Sequence, residues 1–264
     1  MFNVRLIKAE GLRRFLVLAF YLGLLIVAVK VVSSDVDMAQ KAPCLIVFLF
    51  VPIALWLELK RYIYVRANHE LNEEDKPQSC LDHTRFVIKF DWLLKQYQNL
   101  APFQEGYALL DLDRADEIKE TLESRFGRRY ELSKGRNFEH SYLLFLLSAV
   151  KKEQKKVKEH FEQIDKIFSS QQRLSGDLIT LRYYIEAIYY TCTGEAKKAI
   201  ERFEGLDLNA FKKRELTYYH YFLAKAYTLD HQYEKADESY RKAIELSPNN
   251  RYIANHPISG QKTK

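Results

Sequence analysis

The sequence predicts an all-α protein in two parts, an N-terminal two-helix transmembrane hairpin followed by an α-solenoid of antiparallel helix pairs. Three observations predict it. Two apolar runs lie within the first sixty residues. Beyond them, apolar residues recur at helical spacing, in a chain of 264 residues with only 9 Gly and 6 Pro against 18 Tyr and 16 Phe, a composition suited to long helices rather than many-turned β structure. Finally, Ala187, Tyr190, Ala199 and Phe203 precede Ala224, Tyr227, Ala236 and Tyr240 by 37 residues each, the mark of an internal repeat.

The hairpin occupies residues 1–66. Its first span, 15–32, reads FLVLAFYLGLLIVAVKVV, and Lys30 is its only charge. Eighteen helical residues reach about 27 Å, close to the hydrocarbon thickness of a bilayer. Lys30 lies near the end, where its stem can carry the ammonium to the headgroups. The second span, 43–59, contains Pro52, read as a kink because neighbouring groups re-satisfy the backbone in membrane helices; Trp56, Tyr62 and Tyr64 supply interfacial aromatics.

Residues 1–66 carry nine Lys or Arg against four acids, whereas the remainder is nearly balanced. The net charge of +6 therefore flanks the apolar runs and argues for membrane orientation rather than nucleic acid binding. Arg5, Lys8, Arg13 and Arg14 precede the first span, and Lys60, Arg61 and Arg66 follow the second. The polar loop 33–41 holds two acids and one Lys. Positive-inside bias places both termini in the cytoplasm and that loop outside, and so compact a chain fits a bacterial plasma membrane. A cleaved signal peptide, with Val32 and Ser34 at the cleavage site, is the competing reading, but the run is long for one. Two core helices of a soluble protein would need a polar face that neither run has. Ala19 and Gly23 form a small-xxx-small pair expected to face the second span or a partner's helix.

Residues 67–83 turn polar and acidic and are interrupted by Pro77, the composition of a linker, although the first part is expected to continue the second span as a helix to about Glu74. An amphipathic helix is expected over 84–99, with Phe86, Phe90, Leu93, Leu94 and Tyr97 on its apolar face. Pro102 interrupts next, and 103–112 with 114–126 make a helical pair around a tight joint at Asp113, with small Ala115 beyond it. Gly127 and Gly135 fall in the following connection. A second pair, 138–151 and 153–168, buries Val157, Phe161, Ile164 and Phe168; its charge run KKEQKKVKEH reads as a solvated face. The third pair is 174–193 and 195–206, turned at Gly194, and the tail 251–264 is expected to fray.

The fourth pair, 217–250, is the most informative. Leu223, Ala224 and Tyr227 sit on its first helix and Ala236, Tyr240 and Ala243 on its second, with Pro248 as a stop. Ala236 lets the helices approach while the bulky residues fill the gap between them. This pattern resembles a tetratricopeptide (TPR) repeat almost in full, departing from it at His220, where the family has a large apolar residue. The resemblance is clear over 180–250 and weak over 101–170. It implies a TPR-like domain over 84–250, since a lone pair cannot bury its own apolar face.

The resemblance also implies a protein or peptide partner on the concave face lined by the first helices. In the family's register the groove positions are Tyr218, Tyr221, Lys225 and Thr228, with Tyr184, Ile188 and Thr191 from the preceding pair. Tyr offers apolar area and a hydroxyl with few rotors, useful for holding a peptide. Some TPR domains bind C-terminal carboxylates through paired cations and Asn; here Lys225 stands alone among these positions, so that specificity is not expected.

No phosphate loop, nucleophile elbow or metal-ligand spacing occurs, and position 73 is Glu where a zinc-protease motif starting at His69 needs His. Cys44, Cys80 and Cys192 are far apart, and the seven His are scattered. The sequence thus predicts a scaffold or adaptor rather than an enzyme, with no cofactor. It serves as an accessory subunit of a transport, secretion or envelope complex, or else as a peptide-binding sensor of a membrane protein.

Overall fold

The computed structural model describes residues 2–35, 37–92, 95–126, 138–170 and 175–258, with the side chains of 2–15, 38, 40, 45 and 210 outside that description. All described regular elements are helical. The chain divides into two units, Met1–Ile63 and Tyr64–Lys264.

In the first unit, α1 spans Phe2–Val32, and α2, Met38–Asn72, runs on past the unit boundary. Both Pro43 and Pro52 lie inside α2. Among the described residues one helix, Lys41–Asn72, is long and apolar enough to cross a membrane; Leu16–Val32 is apolar but shorter. Phe20, Leu22 and Ile26 on α1, and Ile46, Leu49 and Phe50 on α2, are exposed. Ala19 is exposed too, and a Cβ built at Gly23 would meet nothing within 4 Å, so the second span does not cover this face.

The second span continues as a helix to Asn72, close to its expected end near Glu74, and the remainder expected as a linker is helical from Pro77 on. Arg66 pairs with Glu70 at 3.0 Å one turn on, Ala67 and Leu71 are buried, and α2 therefore continues to Asn72. Pro77 does not interrupt a helix but begins α3 (Pro77–Lys89), where its missing N–H costs nothing. This helix buries Cys80, Leu81, Thr84 and Val87, while Phe86 is exposed. The expected helix 84–99 is thus shifted toward the N-terminus and shows a different face; Leu93 and Leu94 lie outside the described residues.

Four helical pairs follow. They are α4 (Ala101–Asp111) with α5 (Ala115–Phe126), α6 (Phe138–Val150) with α7 (Gln154–Ser169), α8 (Gly176–Thr193) with α9 (Ala196–Glu204), and α10 (Lys213–Leu229) with α11 (Tyr233–Leu246). Pro102 again opens a helix rather than interrupting one. The connection holding Gly127 and Gly135 lies outside the described residues.

One turn recurs in all four pairs. Its central residue has positive φ: Asp113 (61°), Lys152 (58°), Gly194 (85°) and His231 (61°). The next residue's N–H reaches back to the fifth carbonyl before it, Arg114 to Leu109 (2.8 Å), Glu153 to Ser148 (3.0 Å), Glu195 to Tyr190 (2.9 Å) and Gln232 to Tyr227 (2.9 Å). This is the Schellman closure of a helix C-terminus. Aligned on that turn, Gly106 and Phe145 match Ala187 and Ala224, and Ile118 and Val157 match Ala199 and Ala236. The first two pairs are therefore built on the same plan with bulkier residues at one or both crossing positions. Gly106 is an exception to the bulk: a Cβ there would lie 2.5 Å from Leu143 Cδ2, so its absence sets how closely α4 and α6 approach.

The tail does not fray as a whole. Asn250 caps α12 (Arg251–Asn255), its side chain accepting from Ile253 N–H at 3.1 Å, and Tyr252, Ile253 and Ile258 are buried. Residues 259–264 lie outside the described residues.

Candidate ligand cavity on the inner face

Helices α6, α8 and α10 are the first members of their pairs and lie side by side, lining what an open solenoid would present as its groove. Here much of that face is core. Tyr184, Ile188 and Tyr218, expected as groove residues, are at most 1 % exposed. These three lie in the core: Tyr218 is tied to Asp111 of the first pair, while Tyr184 packs against Phe203 and Phe211.

Asp111, at the end of α4, binds Arg214 of α10 through two hydrogen bonds of 2.7 and 2.9 Å, and the Tyr218 hydroxyl donates to the same carboxylate at 2.7 Å. The guanidinium lies 4.9 Å from the ring centres of both Tyr107 and Tyr218. Burial opposes the Arg214 charge, but the Asp111 carboxylate outweighs it and holds the pKa above its ordinary value. Asn249 donates its N–H to Asp75 at 2.7 Å, across 174 residues. Asp113, the first turn residue, meets Asn255 Nδ2 at 2.8 Å and His256 Nε2 at 3.0 Å. The Tyr252 hydroxyl donates to Val150 O at 3.1 Å and that of Tyr221 to His256 O at 3.3 Å. The C-terminal segment thus lies against the inner face, which no pattern in a single helix could announce.

Among the described residues, a cavity opens at each end of this face. The larger, of about 500 Å³, lies where α6, α8 and α10 end; Thr191, Tyr221, Lys225 and Thr228 line it, with the C-terminal segment as one wall. Four of the seven expected groove residues are therefore brought together. Lys225 is half-buried, its Nζ 4.3 Å from the centre of the Tyr221 ring. Burial pulls its ammonium down to about 8, against a partial opposing effect of Cys192, and Lys152 pulls the same way. Cys192, also in the lining, has its thiol pushed up to about 11 by burial. Lys152 and Asn255 line the cavity as well, so Lys225 does not stand alone as the sequence reading held. Lys152 escaped notice because it belongs to a turn of an earlier pair. The smaller cavity, of about 250 Å³, lies where the same helices begin and is lined by Tyr64, Tyr107, Glu139, Tyr142, Arg214 and Glu215 among others.

Among the described residues no group of three or more His, Cys, Asp or Glu could hold a metal ion. The half-buried His220 has its pKa lowered, by burial first and by Lys242 second.

Residues 217–250 match the family model of the tetratricopeptide repeat, the segment that the spacing of Ala224, Tyr227, Ala236, Tyr240 and Pro248 singles out. No curated protein matches the chain.

Proposed function

Because this chain carries a tetratricopeptide repeat at its C-terminal end, we propose that it is a membrane-anchored scaffold that recruits or organises partner proteins at the cytoplasmic face. Such repeats generally bind proteins or peptides, and the matched pair is the observation that carries the reading. The membrane part is supported by the exposed apolar side chains of α1 and α2, which are costly in water and favourable in lipid. Basic residues at both outer ends favour cytoplasmic termini, in a bacterial plasma membrane, as an accessory subunit of a transport, secretion or envelope complex. Ala19 and Gly23, open on α1, are then a seat for a partner's helix.

With Tyr184, Ile188 and Tyr218 in the core, the partner meets the rim of the larger cavity, where Thr228 is half-buried and Leu229 is 47 % exposed. The enclosed volume there favours a second reading, a sensor whose complex depends on a ligand.

Detergent extraction of the full-length chain followed by crosslinking and co-purification tests the scaffold. A partner should be recovered stoichiometrically, lost with Thr228→Arg, and retained with Lys242→Glu on the outer helix α11. Equal recovery with both variants would remove the rim from the interaction. Recovery only after addition of a ligand would replace the scaffold by the sensor. A loop at 33–41 that is modified by a membrane-impermeant reagent from the inside alone would reverse the topology.

A further inference from the structure

The lining of the larger cavity is unbalanced in charge. Lys152, Lys225 and His256 contribute basic groups, and among the described residues no lining residue is acidic. His256 has its counter-charge elsewhere, in Asp113. Lys225 has aromatic neighbours, Tyr221 at 4.3 Å and Phe222 at 5.1 Å, but among the described residues no carboxylate pairs with it. Lys152 is exposed and held at the mouth by its left-handed turn, again with no described carboxylate.

A cation near the end of α10 is favoured by the helix dipole, which accounts for one lysine there. Lys152, in the turn that closes α6, is favoured in the same way, so two helix ends bring cations to one cavity whose described lining holds no acid. At the other end of the inner face acids and bases share the lining, and Asp111 pairs with Arg214 at 2.7 Å. The same lining offers hydrocarbon from Val157, Leu229 and Ile258. A volume of about 500 Å³ is in the range that encloses small molecules.

We propose that this cavity binds a small organic acid, its carboxylate between Lys225 and Lys152 and its hydrocarbon against Val157, Leu229 and Ile258. Tyr252 and residues 255–258 form one wall of the site, and its volume of about 500 Å³ matches a small molecule. An anion in this position offsets both the burial of the Lys225 ammonium and its repulsion by Lys152. The site stands independently of the scaffold reading.

The test uses the full-length chain in detergent micelles with its lysines reductively dimethylated with ¹³C, which keeps their charge. Hexanoate and the neutral hexanamide are titrated and the methyl resonances followed. The Lys225 signal, identified by its loss in Lys225→Met, should move saturably with hexanoate and stay in place with hexanamide. Lys152→Met should weaken hexanoate roughly tenfold, the effect of losing one charge-assisted contact. Leu229→Trp fills the space while retaining both lysines and should abolish the shift. If Lys225→Met does not fold, the last two variants still decide the matter.

Absence of saturation, equal binding of hexanamide, or unchanged affinity in both Lys152→Met and Leu229→Trp would overturn the proposal. An acetylated tetraglutamate peptide serves as a further arm. Tighter Lys152-dependent binding of that peptide than of hexanoate would overturn the free acid as the source of the carboxylate. The acid site is read from the Lys225 methyl resonance and the scaffold from co-purification, so this failure and that of the scaffold are read separately.

Discussion

The inner face of the second unit has two ends that are treated differently. Where α6, α8 and α10 begin, the space is about 250 Å³ and its lining carries both signs of charge: Arg214 is paired with Asp111, Glu139 accepts from the Tyr107 hydroxyl at 3.3 Å, and Glu215 accepts from the Lys212 N–H at 2.8 Å. Burial raises the Glu139 pKa, and the charge of Lys212 acts against that larger effect. Where the same helices end, the space is about 500 Å³ and two lysines lack a described carboxylate. One end is locked by complementary groups brought from distant parts of the chain. The other is left with a charge for something else to meet. A solenoid face is thus not uniformly a groove, and long-range pairing decides which part of it stays open.

The contrast breaks most visibly at the lock. Arg214→Ala leaves the Asp111 carboxylate buried without its partner, and the expected loss is about 3–5 kcal/mol, seen as a lower urea midpoint in detergent. The paired change Arg214→Met with Asp111→Leu should recover much of that loss, because no charge is then stranded. At the other end Lys152→Met should alter stability by less than about 0.5 kcal/mol, since the side chain is exposed. Equal effects at the two ends would dissolve the comparison.

A second test concerns the wall that separates the larger cavity from an open groove. Ile253 is fully buried although it belongs to a segment expected to fray. Truncation by Ile253→Ala should cost about 2–3 kcal/mol, measured by the same denaturation. A tail lying loosely on the surface would lose nothing.

The repeating turn offers a smaller effect. Gly194 has φ of 85°, so Gly194→Ala should cost about 1 kcal/mol, whereas Lys152→Gly removes a left-handed Lys and should be neutral or stabilising by a comparable amount. Thermal melting of the two variants reads the difference in sign.

These residues also show what could be read from the chain alone. The last two pairs were legible because Ala187, Ala199, Ala224 and Ala236 keep the crossing positions small, and a Gly or a Pro punctuates each. The earlier pairs share the turn, but Asp113 and Lys152 stand where Gly would have announced it, and Ile118 and Val157 stand where Ala would. The two prolines read as breaks, Pro77 and Pro102, open helices instead, because a ring stops a helix or starts one according to its neighbours. Of the candidate site, Thr191, Tyr221, Lys225 and Thr228 follow from helical register. Burial of Tyr218 does not, since Asp111 arrives from far along the chain, and Tyr184 is covered by Phe203 and Phe211 of the helix and connection that follow it.

The smallest predicted effect separates the two ends by pH. The folded chain holds Lys225 at about 8, below its ordinary value of 10.5, because burial disfavours the ammonium. Between those values the unfolded chain binds more protons at this position, so stability rises as pH increases from about 8. The other groups facing the cavity act in the opposite sense and later. Burial raises Cys192 to about 11 and Tyr252 to about 12, and raises Tyr221 as well, so the folded chain retains their protons while the unfolded chain loses them, and stability falls above about pH 9–10. A shallow maximum near pH 9, with a rise on the order of 1 kcal/mol or less before it, is therefore expected. Lys225→Met should remove the rise and keep the fall. Arg214 stays protonated throughout this range, so breaking the lock should lower the whole curve without changing its shape. A rise that persists in Lys225→Met would place the titrating group elsewhere and take away the charge imbalance that distinguishes the larger cavity.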